Sequence, residues 1–315
     1  MKVVKVTRAG FPGWGAFHYF NYFVWVLSKK YQVVVDTKDP DLVLCNTYYT
    51  PPNDWDFQTN DYVKTHADFP NAQKIVITSE NRGGYASILR EGDNYWCIGH
   101  EDVDDPRYLK MSTCVLDCWV LYDEARMFDT PFRWLTDKRD VEEMFAKKKH
   151  FCSVVQASSK HERELMFDAL AKYKPVRSPG PWRGNLTDAE YPNKHQYSRR
   201  DYYGRVDGLV YRDKVNFFKE HKFNIAFQYA EEMIHEKIFH AYAGETIPIF
   251  QGHSNMTKEG FNPDAFINTH NYSSFDEAAE VAIQLDRDDA RYKKMLGEPL
   301  FTDNKLPEYF NSEYL

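Results

Sequence analysis

The sequence predicts an α/β protein made of two Rossmann-like domains that face each other across an interdomain cleft. Three observations predict it. Short apolar runs of strand length alternate with segments of helical period along all 315 residues, the pattern of parallel sheets with crossover helices. The pattern starts twice, at Lys2–Val6 and again at Phe151–Gln156. Between the two starts lies a charged stretch, 136–150, of the kind that joins domains. The expected division is an N-terminal domain over 1–148, a C-terminal domain over 149–300 and a tail over 301–315.

In the first half, Lys2–Val6 reads as a strand and Gly10, Pro12, Gly13 and Gly15 as the loop at its end. Phe17–Lys29 has the spacing of a buried helix, and Gln32–Asp36 and Asp41–Asn46 are further apolar runs. The glycines do not fit the dinucleotide pattern G-x-G-x-x-G, so no nicotinamide cofactor is inferred. Trp14, His18 and Tyr19 stand where a cleft lining would be. Residues 47–72 are polar and irregular. Lys74–Thr78 is a strand with Ser79-Glu80-Asn81 at its carboxyl end, and Tyr95–Gly99 is another. Asp102-Val-Asp104 has the D-x-D form of metal-dependent sugar transferases, but it sits in an acidic loop and reads as solvated. No metal is expected.

In the second half, a helix is expected over Ser159–Tyr173, a strand over Lys174–Arg177 and a turn-rich loop over Pro179–Asn185. Residues 187–208 read as a polar flap and Tyr211–His221 as a helix. The chain then enters its densest stretch. Phe223–Phe227 is an apolar strand, and Ile234, Ile238, Ala241 and Tyr242 share one helix face. Gly244 ends that helix and Ile247–Phe250 is the next strand. Ligands of such sheets bind at the carboxyl ends of the strands. The loop 228–237 lies there and carries Glu231, Glu232, His235, Glu236 and Lys237. A strand at Ala265–Thr269 and helices at Ser274–Leu285 and Asp288–Leu296 follow.

Composition narrows the function. Hydrophobic residues make up 43% of the chain, enough for a sizeable core, and aromatics 16%, which suits sugar-binding clefts. A net charge of −7 argues against a broad nucleic-acid or membrane surface. No export signal or membrane span is visible, and the five scattered cysteines read as reduced core residues of a cytoplasmic protein. Cys114 and Cys118 are one helical turn apart but lack partners for a zinc site.

The central stretch resembles glycosyltransferase family 10, the α-1,3/1,4-fucosyltransferases, and most the soluble bacterial branch. The segments KFNIAF, HEKIFHAY and TIPIFQG carry the likeness, with FCSVVQASSKHERELMFDALAKYKPV before them and FNPDAFIN after. ITSEN in the first half resembles the family's Glu-Asn pair after a strand. The resemblance implies the two-domain GT-B arrangement and metal-independent transfer of a sugar from a GDP-linked donor, with inversion. It needs no cofactor beyond the nucleotide sugar, here GDP-fucose. Glu80 matches the family's base, with Asn81, Trp14 and His18 on the acceptor side. Arg163, Glu236 and Lys237 match its donor contacts, with Gln228, Tyr229, Asn224 and Arg183 around them. Taken without the family, Arg163 reads as a surface helix residue, and Glu80 as an ordinary strand-end carboxylate as readily as a base.

The likeness has departures. The family's Glu-Asn after the central strand is Gln228-Tyr229 here, its Thr before Glu-Lys is His235, and a Tyr of the bacterial members is Met233. The loop before Glu236 is about two residues shorter than the family's. The acceptor expected first is a glycan. The alternative keeps the machinery with another nucleotide sugar, such as a pentose donor, and a hydroxymethylated DNA base as acceptor. A sugar-binding relic is the third reading. It is disfavoured because Glu80, Arg163, Glu236 and Lys237 are all present.

Overall fold

The computed structural model describes residues 1–9, 15–46, 68–77, 92, 94–123, 125–156, 158–187, 189–191, 209–228 and 234–314. The chain divides into two compact units. One is Met1–Val120 together with Glu308–Leu315, and the other is Leu121–Pro307. The expected boundary between 148 and 149 therefore falls inside the second unit. The charged stretch 136–150 is part of that unit and is mostly structured. Trp134 and Leu135 just before it are buried, and a short helix, α3 (Val141–Ala146), sends Met144 into the core.

The first unit is a six-stranded parallel sheet. Its strands are β1 (Val3–Ala9), β2 (Gln32–Val35), β3 (Leu42–Asn46), β4 (Gln73–Ile77), β5 (Tyr95–Gly99) and β6 (Tyr108–Lys110). Their order across the sheet is β2-β1-β3-β4-β5-β6. The sequence order reverses between β1 and β3, the topological switch of a doubly wound sheet. Val6, Val43, Val76 and Cys97 are fully buried along its middle, as central parallel strands require. Helix α1 (Gly15–Leu27) links β1 to β2, and α2 (Cys114–Asp123) follows β6. Cys114 and Cys118 lie in the apolar face of α2, buried and unbonded to each other. Strand β6 and α2 were not foreseen. β6 is too short to show a period, and α2 reads as apolar nearly all round because it is buried. Asp102 of the D-x-D segment is spent on Lys110 at 3.0 Å.

The second unit is a five-stranded parallel sheet in the order β11-β10-β9-β7-β8. The strands are β7 (His150–Ser153), β8 (Val176–Arg177), β9 (His221–Phe227), β10 (Ile247–Gln251) and β11 (Ile267–Asn268). β9 is central, paired with β7 on one side and β10 on the other, and only Lys222 in it escapes full burial. Helices α4 (His161–Ala171) and α7 (Phe275–Arg287) pack together over the sheet, while α5 (Leu209–Lys219) and α6 (Glu236–Ala243) pack on each other and on β9. The last helix, α8 (Asp289–Gly297), seats Tyr292 and Leu296 in the core. The core joins Phe151, Met166, Leu170, Phe223, Ile225, Ile249 and Leu285. Among the described residues no helix is long and apolar enough to cross a membrane.

Candidate functional site

Parallel strands bring their carboxyl ends to one edge of the sheet, so the end of β9 is where the second unit gathers polar groups. The chain leaves β9 at Gln228, whose N–H donates to the Gln251 oxygen at 2.7 Å. Its side-chain amide donates to the His235 oxygen at 3.3 Å. Its Oε1 is buried with no partner among the described residues. Gly252 makes this close approach feasible. A Cβ there would lie 2.8 Å from the Phe250 ring and 3.0 Å from Gln228 Oε1, inside any normal contact.

Helix α6 begins beside this point. His235 is extended at its N-cap position and gives no side-chain cap bond. Glu236 and Lys237 form the first turn, with Lys237 Nζ donating to Glu236 Oε1 at 2.9 Å. Burial works to raise the Glu236 carboxyl, but the charges of Lys237 and then Lys214 overcome it and hold the group well below its ordinary value. Glu236 is therefore an anion inside a cationic setting.

Arg163 joins this group from the first turn of α4. It is only 4% exposed, which corrects the reading of a surface helix residue. One guanidinium nitrogen donates to the Ser158 oxygen at 3.2 Å and the other to the Phe227 oxygen at 3.3 Å. Its Nε is buried and unpartnered among the described residues. Burial draws its pKa down, with the charges of Glu236 and Glu162 opposing, yet a guanidinium remains a cation under any ordinary condition.

Lys214 and His240 complete the cluster and were missed from the sequence. Lys214 Nζ lies 3.0 Å from His240 Nδ1. A lysine ammonium only donates, so Nδ1 accepts and the ring proton sits on Nε2. Burial and then the Lys214 charge keep the ring neutral. The only signal was positional, since α5 precedes β9 and packs on α6, and that packing is a tertiary fact.

The other expected residues fall elsewhere. Asn224 is buried within β9, and its amide donates to Ser153 O at 3.2 Å and Ser153 Oγ at 3.0 Å, tying β9 to β7. Arg183 adopts a left-handed backbone, φ 53°. Its guanidinium is committed to Asp168 at 2.8 Å and Glu164 at 3.2 Å and lies over the Phe167 ring. Trp14, Glu80, Asn81 and Tyr229 lie outside the described residues, as does most of the expected flap. His18 is on α1, but its side chain is likewise undescribed.

Residues 144–297 match the C-terminal domain of glycosyltransferase family 10 (fucosyltransferase). This is a glycosyltransferase family 10 domain. The family 10 domain thus takes in Arg163, Gln228, Glu236 and Lys237 together. The chain is 31% identical to the alpha-(1,3)-fucosyltransferase FucT of Helicobacter pylori over 272 residues, which make up 78% of this chain and 51% of that protein. It therefore spans about half the length of the curated relative it matches. A solved α1,3-fucosyltransferase with GDP-fucose superposes with a TM-score of 0.62 at 22% identity, over 97% of this chain and 87% of that one. An α-glucosyltransferase in complex with UDP and a 13-mer DNA containing a HMU base superposes at 0.53 and 12% identity, over 96% of each chain. At such identities the likeness is one of fold, two parallel-sheet α/β domains of GT-B-like type.

Proposed function

We propose that this family 10 protein is an inverting glycosyltransferase that moves L-fucose from GDP-fucose to a hydroxyl of a glycan, without a metal. The observation that carries the proposal is the meeting of Arg163, Lys237 and the amino end of α6 at the carboxyl edge of the second sheet. Departure of a nucleoside diphosphate leaves two phosphates carrying growing negative charge. Fixed donors in a water-poor site stabilise that charge best, because they need no reorganisation as it develops. The α6 amino end, not capped by the His235 side chain, adds N–H groups and the positive end of the helix dipole. Glu236, kept ionised, is suited to accept from ribose hydroxyls. Glu80 is proposed as the base that takes the proton from the acceptor hydroxyl as it attacks the sugar carbon.

The donor assignment draws on family membership and on the GDP-fucose held by the solved fucosyltransferase. A second reading keeps the same chemistry with another nucleotide sugar and a modified DNA base as acceptor. It is favoured by Gln228-Tyr229 in place of Glu-Asn at the expected sugar end.

One experiment separates them. Purified protein is screened by thermal shift, in chelator, against GDP, UDP, CMP and their sugar conjugates, because a ligand that binds only the folded state raises the midpoint. Selective stabilisation by GDP and GDP-fucose, followed by transfer of labelled fucose to a galactose/N-acetylglucosamine acceptor, is the expected result. Stabilisation by UDP or by a pentose conjugate, with label passing to hydroxymethylated DNA, overturns it in favour of the second reading.

A further inference from the structure

The amino ends of β7, β8 and β9 lie on the edge of the sheet opposite the cluster just described, and they hold a second polar site. A cavity of about 380 Å³ opens there, bordered by Lys148, Lys149, His150, Lys174, Arg177 and Lys222, with Asp286 as its one carboxylate. Asp286 is already saturated. It accepts from Tyr173 Oη at 3.0 Å and Lys174 Nζ at 2.6 Å, and Lys222 Nζ is 3.0 Å from it. Outside the rim, Lys149 is paired with Glu220 at 2.6 Å, Arg177 with Glu190 at 3.3 Å and Lys222 also with Asp289 at 3.3 Å.

Lys148 is different. Its ammonium donates only to the Lys219 main-chain oxygen, at 2.8 Å, and among the described residues no carboxylate lies within ion-pair distance of it. The neighbouring Lys147 and Lys219 already share Glu245. The wall thus keeps one cation in surplus, together with a buried Arg177 Nε that has no partner among the described residues. Burial draws the Lys148 ammonium down to about 7, against the weaker pull of Glu245. A half-buried cation without a counter-charge is costly to a fold, and a bound anion removes that cost.

We propose that this cavity is a binding site for a small multivalent oxyanion of the phosphate or sulfate class, centred on Lys148 and Arg177. The site is separate from the donor-binding edge and independent of the activity proposed above.

The test is thermal unfolding of the whole chain at fixed pH and ionic strength, titrated with pyrophosphate, inorganic phosphate, sulfate and a hexose phosphate, each replacing chloride. The wild type is compared with Lys148→Met, Arg177→Gln and Lys237→Ala. The expected result is a saturable rise of several degrees in the wild type and in Lys237→Ala, lost in Lys148→Met and Arg177→Gln. A hexose phosphate acting at lower concentration than inorganic phosphate assigns a sugar phosphate as the natural ligand, and the reverse order assigns the free anion. The same non-saturating rise in all four proteins is general salt strengthening of burial and overturns the proposal. So does a rise that only Lys237→Ala loses, which places the anion at the donor edge, and so does no rise at all. If Lys148→Met does not fold, Arg177→Gln decides alone.

Discussion

The Arg163 guanidinium donates to the main-chain oxygen of Phe227 across 64 residues of chain, at 3.3 Å. This bond fixes the first turn of α4 against the last residue of β9, the strand that leads into the Gln228 turn. A cation that both braces the strand end and faces Glu236 has two duties, and they are separable. Arg163→Lys keeps the charge and loses the planar fork. It should lower transfer about 100-fold or more, as loss of a fixed donor at a developing anion does. It should lower stability by only about 1–3 kcal/mol, the worth of a charged hydrogen bond. Steady-state kinetics and urea unfolding of the one variant read both. Unchanged transfer would remove Arg163 from the donor site.

Gly252 has a measurable role in the site. A Cβ at this position meets Phe250 and Gln228 Oε1 at 3.0 Å or less. Gly252→Ala should cost about 1–3 kcal/mol through overpacking and displace the Gln228 side chain. Nucleotide affinity, read by calorimetry, should fall with it. A variant with wild-type stability and affinity would show that the Gln228 turn tolerates movement.

Asn224 was expected at the donor, and its amide is instead bonded to Ser153. Asn224→Ala leaves the buried Ser153 groups short of a partner, a loss of about 1–3 kcal/mol. GDP affinity should be unchanged within error. A loss of affinity without a loss of stability would return Asn224 to the list of ligand contacts.

Lys148 makes stability depend on pH in a definite direction. Its folded value is about 7 against an ordinary value of 10.5, so between these values the unfolded chain binds more protons than the folded one. Stability contributed at this site therefore rises with pH across that window. In chloride buffer, Lys148→Met, which has no proton to bind there, should exceed the wild type most below about pH 7. The advantage should shrink as pH climbs. Denaturant midpoints at the two ends of the window test it, and an advantage that grows with pH would reverse the assignment.

Most of the architecture was legible because it rests on local signals. Tyr95–Gly99 is the strand its short apolar run specifies, and Phe223–Phe227 falls within β9. The helices at α4, α6, α7 and α8 lie within two residues of their expected spans at either end. Burial on both faces writes continuous apolar runs into central parallel strands, and crossover helices write a 3.6-residue period. Arg163, Glu236 and Lys237 were legible for another reason. The order of residue types around them matches a family, and the structure then brought them together at one strand edge.

What tertiary structure alone decided was which charges are used up and which remain. The sequence offers Arg163 and Arg183 as equals, twenty residues apart by number. Packing buries Arg163 beside Glu236 and lays Arg183 across Glu164 and Asp168. Sequence likewise shows Lys147, Lys148 and Lys149 as one run within the charged stretch 136–150. In the fold, Lys147 and Lys149 have carboxylate partners and Lys148 has a carbonyl. Lys214 and His240 meet only because α5 and α6 pack on the same strand. The physical reason is common to all of these. Periodicity is a property of neighbours in the chain, and the sequence carries it directly. The pairing of charges depends on the depth and direction of side chains brought together from elements far apart, and that is settled only when the sheet and its helices close around them.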